Sequence, residues 1–119
     1  MQHIVIWQDV DVAIDKEHPT IAEVLKKQWN YSNHMIGKWH NGHASWDDTP
    51  LGRGFDTWYG WNGGSSDYYT HMITAQMAEG HNGYAMFDGS DGWSTTPVPA
   101  WSAKGNYSTD LWAAQVRLV

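Results

Sequence analysis

Two side chains able to act together on an anion lie within HMIGKWHNGHASWDD, residues 34–48. Lys38 and His40 are two residues apart, and side chains at this spacing share one face of a β-strand. An ammonium group is a point charge for phosphate or sulfate oxygens, and an imidazole is able to transfer a proton near neutral pH. The spacing therefore predicts a candidate anion site at a strand end, although an ordinary solvated strand end is the simpler interpretation of the spacing alone.

Three histidines in the same stretch raise the alternative of a metal site. A zinc ion needs three or four ligands on a defined scaffold. His34 and His40 are six residues apart, which is about 20 Å in an extended strand, and His43 follows a glycine in a loop. We therefore predict no metal site here. Arg53 is interpreted as a structural contact to a carboxylate, with Asp56 as the candidate partner.

The elements that must position Lys38 and His40 are a helix and a strand. Thr20 and Glu23 form a capping box, which predicts a helix over residues 20–29. A β-branched run predicts a strand at residues 3–7, and residues 31–37 are interpreted as a second strand that ends at Lys38 to His40. A helix followed by a strand is half of an α/β unit, so the chain is assigned to the α/β class.

The rest of the sequence is rich in glycine and aromatic residues and lacks a sustained period. We predict a short helix near residues 54–59 and a helical or irregular segment over residues 71–79. Residues 80–106 are predicted to be loop with at most one hairpin. A last helix is predicted from Ser108 to the end of the sequence.

Composition excludes several classes of function. The net charge is −6 and only 17 % of residues are charged, which argues against binding to nucleic acid or to an anionic membrane surface. No run approaches the roughly 18 apolar residues of a membrane span. Cysteine is absent, so these 119 residues contain no disulfide, zinc-thiolate site or cysteine nucleophile.

Nine tryptophans are several times the ordinary usage. Flat rings with a polar edge suit sugar faces and partner surfaces. We predict a rim of residues that stack on glycans, composed of Trp46, Trp58, Trp61, Tyr68 and Tyr69. Two N-x-S sequons make Asn30 and Asn106 candidate N-glycosylation sites.

Several ordered motifs resemble those of a known family. Residues 31–42, YSNHMIGKWHNG, are similar to the second signature of the type I sulfatases. TPLGRGFDTWYG at 49–60 and GSSDYYTH at 64–71 resemble the arylsulfatase-B-like branch, as do PTIAEVLKK at 19–27 and YSTDL at 107–111. The signature is not reproduced in full, because Trp29-Asn30 replaces an expected glycine and Asn41 replaces a leucine.

This resemblance implies part of an alkaline-phosphatase-like α/β fold: strand, helix, strand, long loops rich in glycine and aromatic residues, and a C-terminal helix. It implies a family reaction, sulfate ester hydrolysis, that uses calcium and a formylglycine made from cysteine. Lys38 would contact a sulfate oxygen. His40, as the catalytic residue, would hydrogen-bond the formylglycine hydroxyl and help to expel sulfate. The cysteine is absent, and the family's calcium ligands are expected outside these residues.

We therefore interpret residues 1–119 as one segment of a sulfatase-like domain, truncated at both ends and inactive by itself. Its expected partners are the rest of a larger chain and a sulfated glycan, and neither nucleic acid nor membrane. The resemblance implies a secreted or lysosomal location. The alternative is a non-catalytic sulfatase-like module that binds glycans or proteins in an extracellular or structural assembly.

Overall fold

The computed structural model describes residue 6 and residues 11–74, 82–89 and 96–119. Within these residues it shows a mixed α/β arrangement, as predicted. The predicted strand at residues 3–7 lies outside the described residues, apart from residue 6.

The described elements comprise two α-helices, six strands and three short 3-10 turns. The helices are α1 (Ile21–Trp29) and α2 (Ser108–Val116). The strands are β1 (His34–Lys38), β2 (Thr57–Trp61), β3 (Met72–Thr74), β4 (Asn82–Tyr84), β5 (Met86–Gly89) and β6 (Val98–Pro99). The 3-10 turns are Trp46–Asp48, Pro50–Arg53 and Trp101–Ala103.

Both ends of helix α1 are defined by capping residues. The Thr20 hydroxyl accepts a hydrogen bond from Glu23 N at 3.1 Å, and the Glu23 carboxylate accepts one from Thr20 N, so the predicted capping box is confirmed. Asn30 ends the helix in the left-handed region at φ 56°. Asparagine tolerates this conformation, which explains how it stands where the family signature has glycine.

Four strands form one mixed sheet in the order β1-β2-β5-β6. Strands β1 and β2 are parallel, whereas β5 runs antiparallel to both β2 and β6. Strands β3 and β4 form a separate antiparallel pair. The predicted helix near residues 54–59 is therefore wrong: aromatic residues suit a strand that has neighbours on both sides, and β2 is one.

The prediction of loop with at most one hairpin over residues 80–106 is also wrong in part, because this range contains three strands, β4, β5 and β6. Strand β5 contains only four residues and ends in Gly89, so its sequence shows little alternation. Its pairing to β2 depends on a partner 25 or more residues away along the chain. The segment over residues 71–79 begins with strand β3, and residues 75–80 lie outside the described residues.

The parallel pairing of β1 and β2 requires glycine at one position. Gly37 of β1 lies opposite Gly60 of β2. A Cβ atom on Gly60 would overlap the carbonyl oxygen of Gly37. A side chain at position 60 would therefore force the two strands apart.

The sheet buries aromatic residues on both faces, because alternate residues of a strand point to opposite sides. On one side Trp61 and Met86 pack in a cluster with alanines, with Leu111 and Trp112 of α2 against it. On the other side Trp58 is fully buried and stacks on Phe87, with ring centroids 5.9 Å apart. The sheet thus lies between two aromatic layers.

Arg53 is fully buried and holds three segments together. Its Nε donates to Glu23 Oε1 at 3.1 Å, and its other nitrogens donate to the carbonyl oxygens of Ile14 and His18 at 3.2 and 2.9 Å. The predicted partner, Asp56, is wrong: Asp56 pairs instead with Lys26 at 2.6 Å. Local spacing favoured Asp56, but the fold brings α1 beside the 50–53 turn.

We expect Arg53→Met to lower the free energy of unfolding by about 2–3 kcal/mol, because it removes a buried guanidinium that donates to two carbonyl groups and to the partly exposed Glu23 carboxylate. Lys26→Met is the matched control, since it breaks an exposed ion pair worth about 0–1 kcal/mol. Urea denaturation measures both variants. Equal losses of unfolding free energy in the two variants would show that Arg53 contributes no more to stability than an exposed ion pair.

Candidate functional site

Lys38 and His40 lie at the carboxyl end of β1, but not for the reason that their spacing suggested. Lys38 is the last residue of the strand. His40 lies two residues beyond it in the left-handed region, with φ 50°. The rule that alternate residues share a face therefore does not apply to His40.

The two side chains nevertheless meet at one residue, Gly64. Lys38 Nζ donates a hydrogen bond to the Gly64 carbonyl oxygen at 3.3 Å. The His40 imidazole lies against the Gly64 backbone: a Cβ atom at position 64 would be 2.5–3.0 Å from three of the ring atoms. Lys38 is exposed and His40 is half-buried. The structure thus brings an accessible ammonium group and an imidazole together around one glycine.

Backbone hydrogen bonds extend the parallel pairing beyond the strands and fix this arrangement. Trp39 N donates to Trp61 O at 2.9 Å, and His40 N donates to Asn62 O at 2.8 Å. The loop that follows β2 is therefore held beside the end of β1, which places Gly64 within reach of both side chains.

Trp39 is a supporting residue that the sequence analysis did not single out. Its ring is buried, and its Nε1 donates to the carbonyl oxygens of Gly42 and Asp48 at 2.8 and 3.0 Å. These bonds close the loop after His40. The sequence signal that could have identified Trp39 as a supporting residue is its position between Lys38 and His40 in the motif.

Asp48 closes the same loop from the other end. One carboxylate oxygen accepts hydrogen bonds from Ser45 N at 3.0 Å and from Ser45 Oγ at 2.7 Å, and Lys16 Nζ lies 3.4 Å from the other. Burial raises the pKa of Asp48, but the hydrogen bonds from Ser45 and the interaction with Lys16 outweigh it, so the net pKa lies below its usual value.

The three histidines of the motif do not come together on a metal. The ring of His34 contacts Thr57 Oγ1 at 2.8 Å, at the opposite end of β1 from Lys38. Within the described residues, no group of three or more His, Cys, Asp or Glu side chains is arranged to hold a metal ion.

The predicted aromatic rim is wrong for two of its five members. Trp58 and Trp61 are 0 % and 5 % exposed, because both belong to β2 and face the two packed layers of the sheet. Trp46, Tyr68 and Tyr69 are 46 %, 52 % and 55 % exposed, so their rings remain accessible. Density of tryptophan in the sequence did not distinguish buried rings from accessible ones.

The two candidate glycosylation sites differ in their surroundings. Asn30 is exposed at the end of α1, and the next two residues of its sequon are exposed as well. Asn106 Nδ2 is engaged with the carbonyl oxygens of Ser102 and Ala103, both at 3.3 Å. The sequon serine, Ser108, is fully buried. The folded chain therefore presents Asn30 more openly than Asn106.

The fold and the Lys38–His40 motif match those of one class of protein. A family model described as Sulfatase matches residues 2–117, and the chain belongs to this family. Its mixed sheet and helices are consistent with part of the sulfatase fold, as predicted.

Named relatives agree with the family. Arylsulfatase J of Mus musculus is 33 % identical over 120 residues, covering 100 % of this chain and 18 % of the relative. N-acetylgalactosamine-6-sulfatases of Mus musculus and Rattus norvegicus are each 40 % identical over 53 residues, which is 44 % of this chain and 10 % of the relative. The chain thus spans less than a fifth of the length of these relatives, and the arylsulfatase-B-like branch stays a prediction. In the part of the chain that the structure describes, no helix is long and apolar enough to cross a membrane.

We expect Asp48→Asn to lower the free energy of unfolding by about 1 kcal/mol near neutral pH, where the carboxylate binds Ser45 and Lys16. A carboxylate with a depressed folded pKa contributes fully above its unfolded pKa of about 3.9, and the contribution is lost as pH falls through the folded value. The difference between variant and wild type should therefore vanish in acid.

Urea denaturation at a series of pH values measures this difference. Asp47→Asn is the matched control, because it makes the same change at an exposed neighbouring position. A stability gap for Asp48→Asn that is unchanged by acid would contradict the assigned role of the carboxylate.

Proposed function

We propose that residues 1–119 form part of a sulfatase domain and supply the sulfate-binding residue Lys38 and the catalytic residue His40. The observation that carries this proposal is the convergence of the two side chains on Gly64 at the carboxyl end of β1. In open α/β sheets, ligands bind beyond the carboxyl ends of the strands.

Each residue has a chemical role that its surroundings permit. The exposed ammonium group of Lys38 has donors beyond the one directed at Gly64, so it is able to hold a sulfate oxygen. The half-buried imidazole of His40 lies against the same glycine. It is able to give or take a proton at the formylglycine hydroxyl that would carry the sulfate in the full family site. Gly64 is part of this arrangement because a larger residue would displace the ring.

The 119 residues by themselves are not expected to hydrolyse sulfate esters. Formylglycine in this family derives from cysteine, and the sequence contains none. The described residues also offer no cluster of carboxylates suited to calcium, so no step is assigned to that ion. Since a nucleophile and a metal supply much of the rate of such hydrolyses, Lys38 and His40 alone should bind sulfate without turnover.

The proposal includes the surroundings in which this segment works. Its partners are the rest of a sulfatase chain and a sulfated glycan, and its location is secreted or lysosomal. The exposed Asn30 sequon suits an N-glycan in such a compartment.

A second candidate function is that of a non-catalytic module that binds glycans or proteins. The observation in its favour is the accessibility of Trp46, Tyr68 and Tyr69. Tyr68 and Tyr69 both pack on Tyr107, with ring centroids 5.8 and 5.3 Å apart. Because this packing already restricts the two rings, they lose little conformational entropy when a partner binds.

We expect Lys38→Ala to weaken the binding of inorganic sulfate about tenfold, because a hydrogen bond to a charged group is lost. His40→Ala should weaken it less, because the role proposed for His40 is proton transfer and not the binding of a sulfate oxygen. Titration with sulfate, followed by NMR of side-chain resonances, measures both changes.

Lys27→Ala is the matched control for the loss of one positive charge, because Lys27 is an exposed lysine of α1. Equal effects of Lys27→Ala and Lys38→Ala would reduce sulfate binding to a general effect of net charge and would overturn the proposed site.

We also expect no turnover of an aryl sulfate by the purified 119-residue chain, with or without added calcium. The physical reason is the missing nucleophile, which calcium does not replace. Release of the aryl alcohol is measured by its absorbance, with the doubly substituted Lys38→Ala, His40→Ala chain as the control. Turnover that this control lacks would disprove the inactivity of the segment.

A further inference from the structure

The backbone of His40 adopts a conformation that residues other than glycine seldom hold. Its φ is 50°, in the left-handed region, and its N–H is donated to Asn62 O at 2.8 Å. A residue with a Cβ atom pays a cost in free energy in this region, and it stays there only where the surrounding structure fixes it. The sheet supplies the contacts up to His40 N, so the contacts that follow His40 in the chain must supply the rest.

Those contacts come from residues 11–18, a segment that we call the strap. Asn41 O accepts a hydrogen bond from Ile14 N at 3.1 Å, and Gly42 forms an antiparallel bridge with Ala13. The two residues that directly follow His40 are therefore both bound to the strap.

Gly42 is what allows the strap to lie this close. A Cβ atom at position 42 would overlap the carbonyl oxygen of Val12 and the Cα atom of Ala13. Gly42 also has a φ of 90°, which glycine adopts without strain. A side chain at position 42 would push the strap away and free the backbone that follows His40.

The strap is in turn fixed by contacts that do not involve His40. The buried Arg53 donates to the carbonyl oxygens of Ile14 and His18 at 3.2 and 2.9 Å. Lys16 Nζ lies 3.4 Å from Asp48 Oδ1. The strap thus connects the backbone beside His40 to the buried guanidinium of the fold.

We propose that the strap is a positioning element for His40: by binding Asn41 and Gly42, it keeps His40 left-handed and its imidazole against Gly64. The inference rests on the proposed function, which assigns proton transfer to His40, and it adds the segment that determines where the imidazole lies. Lys38 belongs to β1 and is held by the sheet. The strap should therefore act on His40 and leave Lys38 in place.

Gly42→Ala tests the contact between the strap and the loop. NOEs between the His40 ring protons and the Gly64 α-protons should be present in the wild type and lost in this variant, because the imidazole leaves Gly64. Gly105→Ala is the matched control, since Gly105 has a φ of 91° and a Cβ atom there would meet nothing within 4 Å. The control should keep the NOEs. If Gly42→Ala keeps them as well, the strap does not position the ring.

Two substitutions of His40 itself measure the backbone strain. His40→Gly and His40→Ala both remove the imidazole, but only glycine is free of strain at a φ of 50°. The equilibrium constant of unfolding in urea should be about three- to tenfold smaller for His40→Gly than for His40→Ala. This ratio should fall below about twofold when Gly42→Ala is added to both chains. An unchanged ratio would show that something other than the strap holds the backbone at position 40.

Amide hydrogen exchange of the unsubstituted protein tests the same coupling in case Gly42→Ala does not fold. Opening the strap breaks the hydrogen bond of Ile14 N and should release that of His40 N in the same event. The two amides should therefore have protection factors within about threefold of each other. A difference of more than tenfold would mean that the strap and His40 open separately, which overturns the proposal.

Inorganic sulfate distinguishes this proposal from the proposed function. Gly42→Ala should weaken sulfate binding no more than His40→Ala does, since Lys38 is unaffected. If it weakens binding as much as Lys38→Ala, the strap supports the whole strand end and the assignment to His40 is wrong. If wild type and Lys38→Ala bind sulfate equally, the proposed function fails, and the NOEs and exchange rates still decide whether the strap positions the His40 ring.

Discussion

The close parallel pairing of β1 and β2 is the constraint on which the site depends. Because Gly60 lies directly against Gly37, the two strands approach without a side chain between them, and their register is fixed. That register places Trp61 opposite Lys38 and allows His40 N to reach Asn62 O. Shifting a strand by one residue would exchange its two faces, so the register also decides which rings are buried. The positions of Lys38 and His40, the loop at Gly64 and the burial of the sheet's tryptophans thus all depend on this register.

A second constraint comes from buried polar groups that join distant segments. The Glu23 carboxylate accepts from Thr20 N at the start of α1 and from Arg53 thirty residues later. Burial raises the pKa of Glu23. The hydrogen bonds from Thr20 and Arg53 and the charge of Arg53 lower it by more, so the net pKa lies below its usual value. Few aliphatic side chains are buried among the residues that the structure describes, and the contact between Arg53 and Glu23 holds α1 beside the turn Pro50–Arg53.

Beyond the family and the fold class, the elements that the sequence predicted correctly depend on local contacts. The capping box at Thr20 defined α1, because its hydrogen bonds join residues three apart. Three features were mispredicted because each depends on residues far along the chain: the partner of Arg53, the strand Thr57–Trp61 and the burial of Trp58. Trp46 and Trp58 have the same side chain and similar glycine-rich and polar surroundings in sequence. Only the stacking of Trp58 under Phe87 in a paired strand makes one buried and the other accessible.

The candidate site shows the same division between motif and fold. The Lys-Trp-His motif identified Lys38 and His40. The prediction that they share a strand face is wrong, because β1 ends at Lys38 and His40 lies in the left-handed region. Their meeting depends on Gly64, which belongs to a different strand end and has no chemistry of its own. His43 was considered only as a metal ligand, and Asn62 was not singled out, because the cavity that both residues line also involves Phe87 of β5, far along the chain. In a fold of this kind the motif supplies charged groups, and the pairing of the strands decides what else stands beside them.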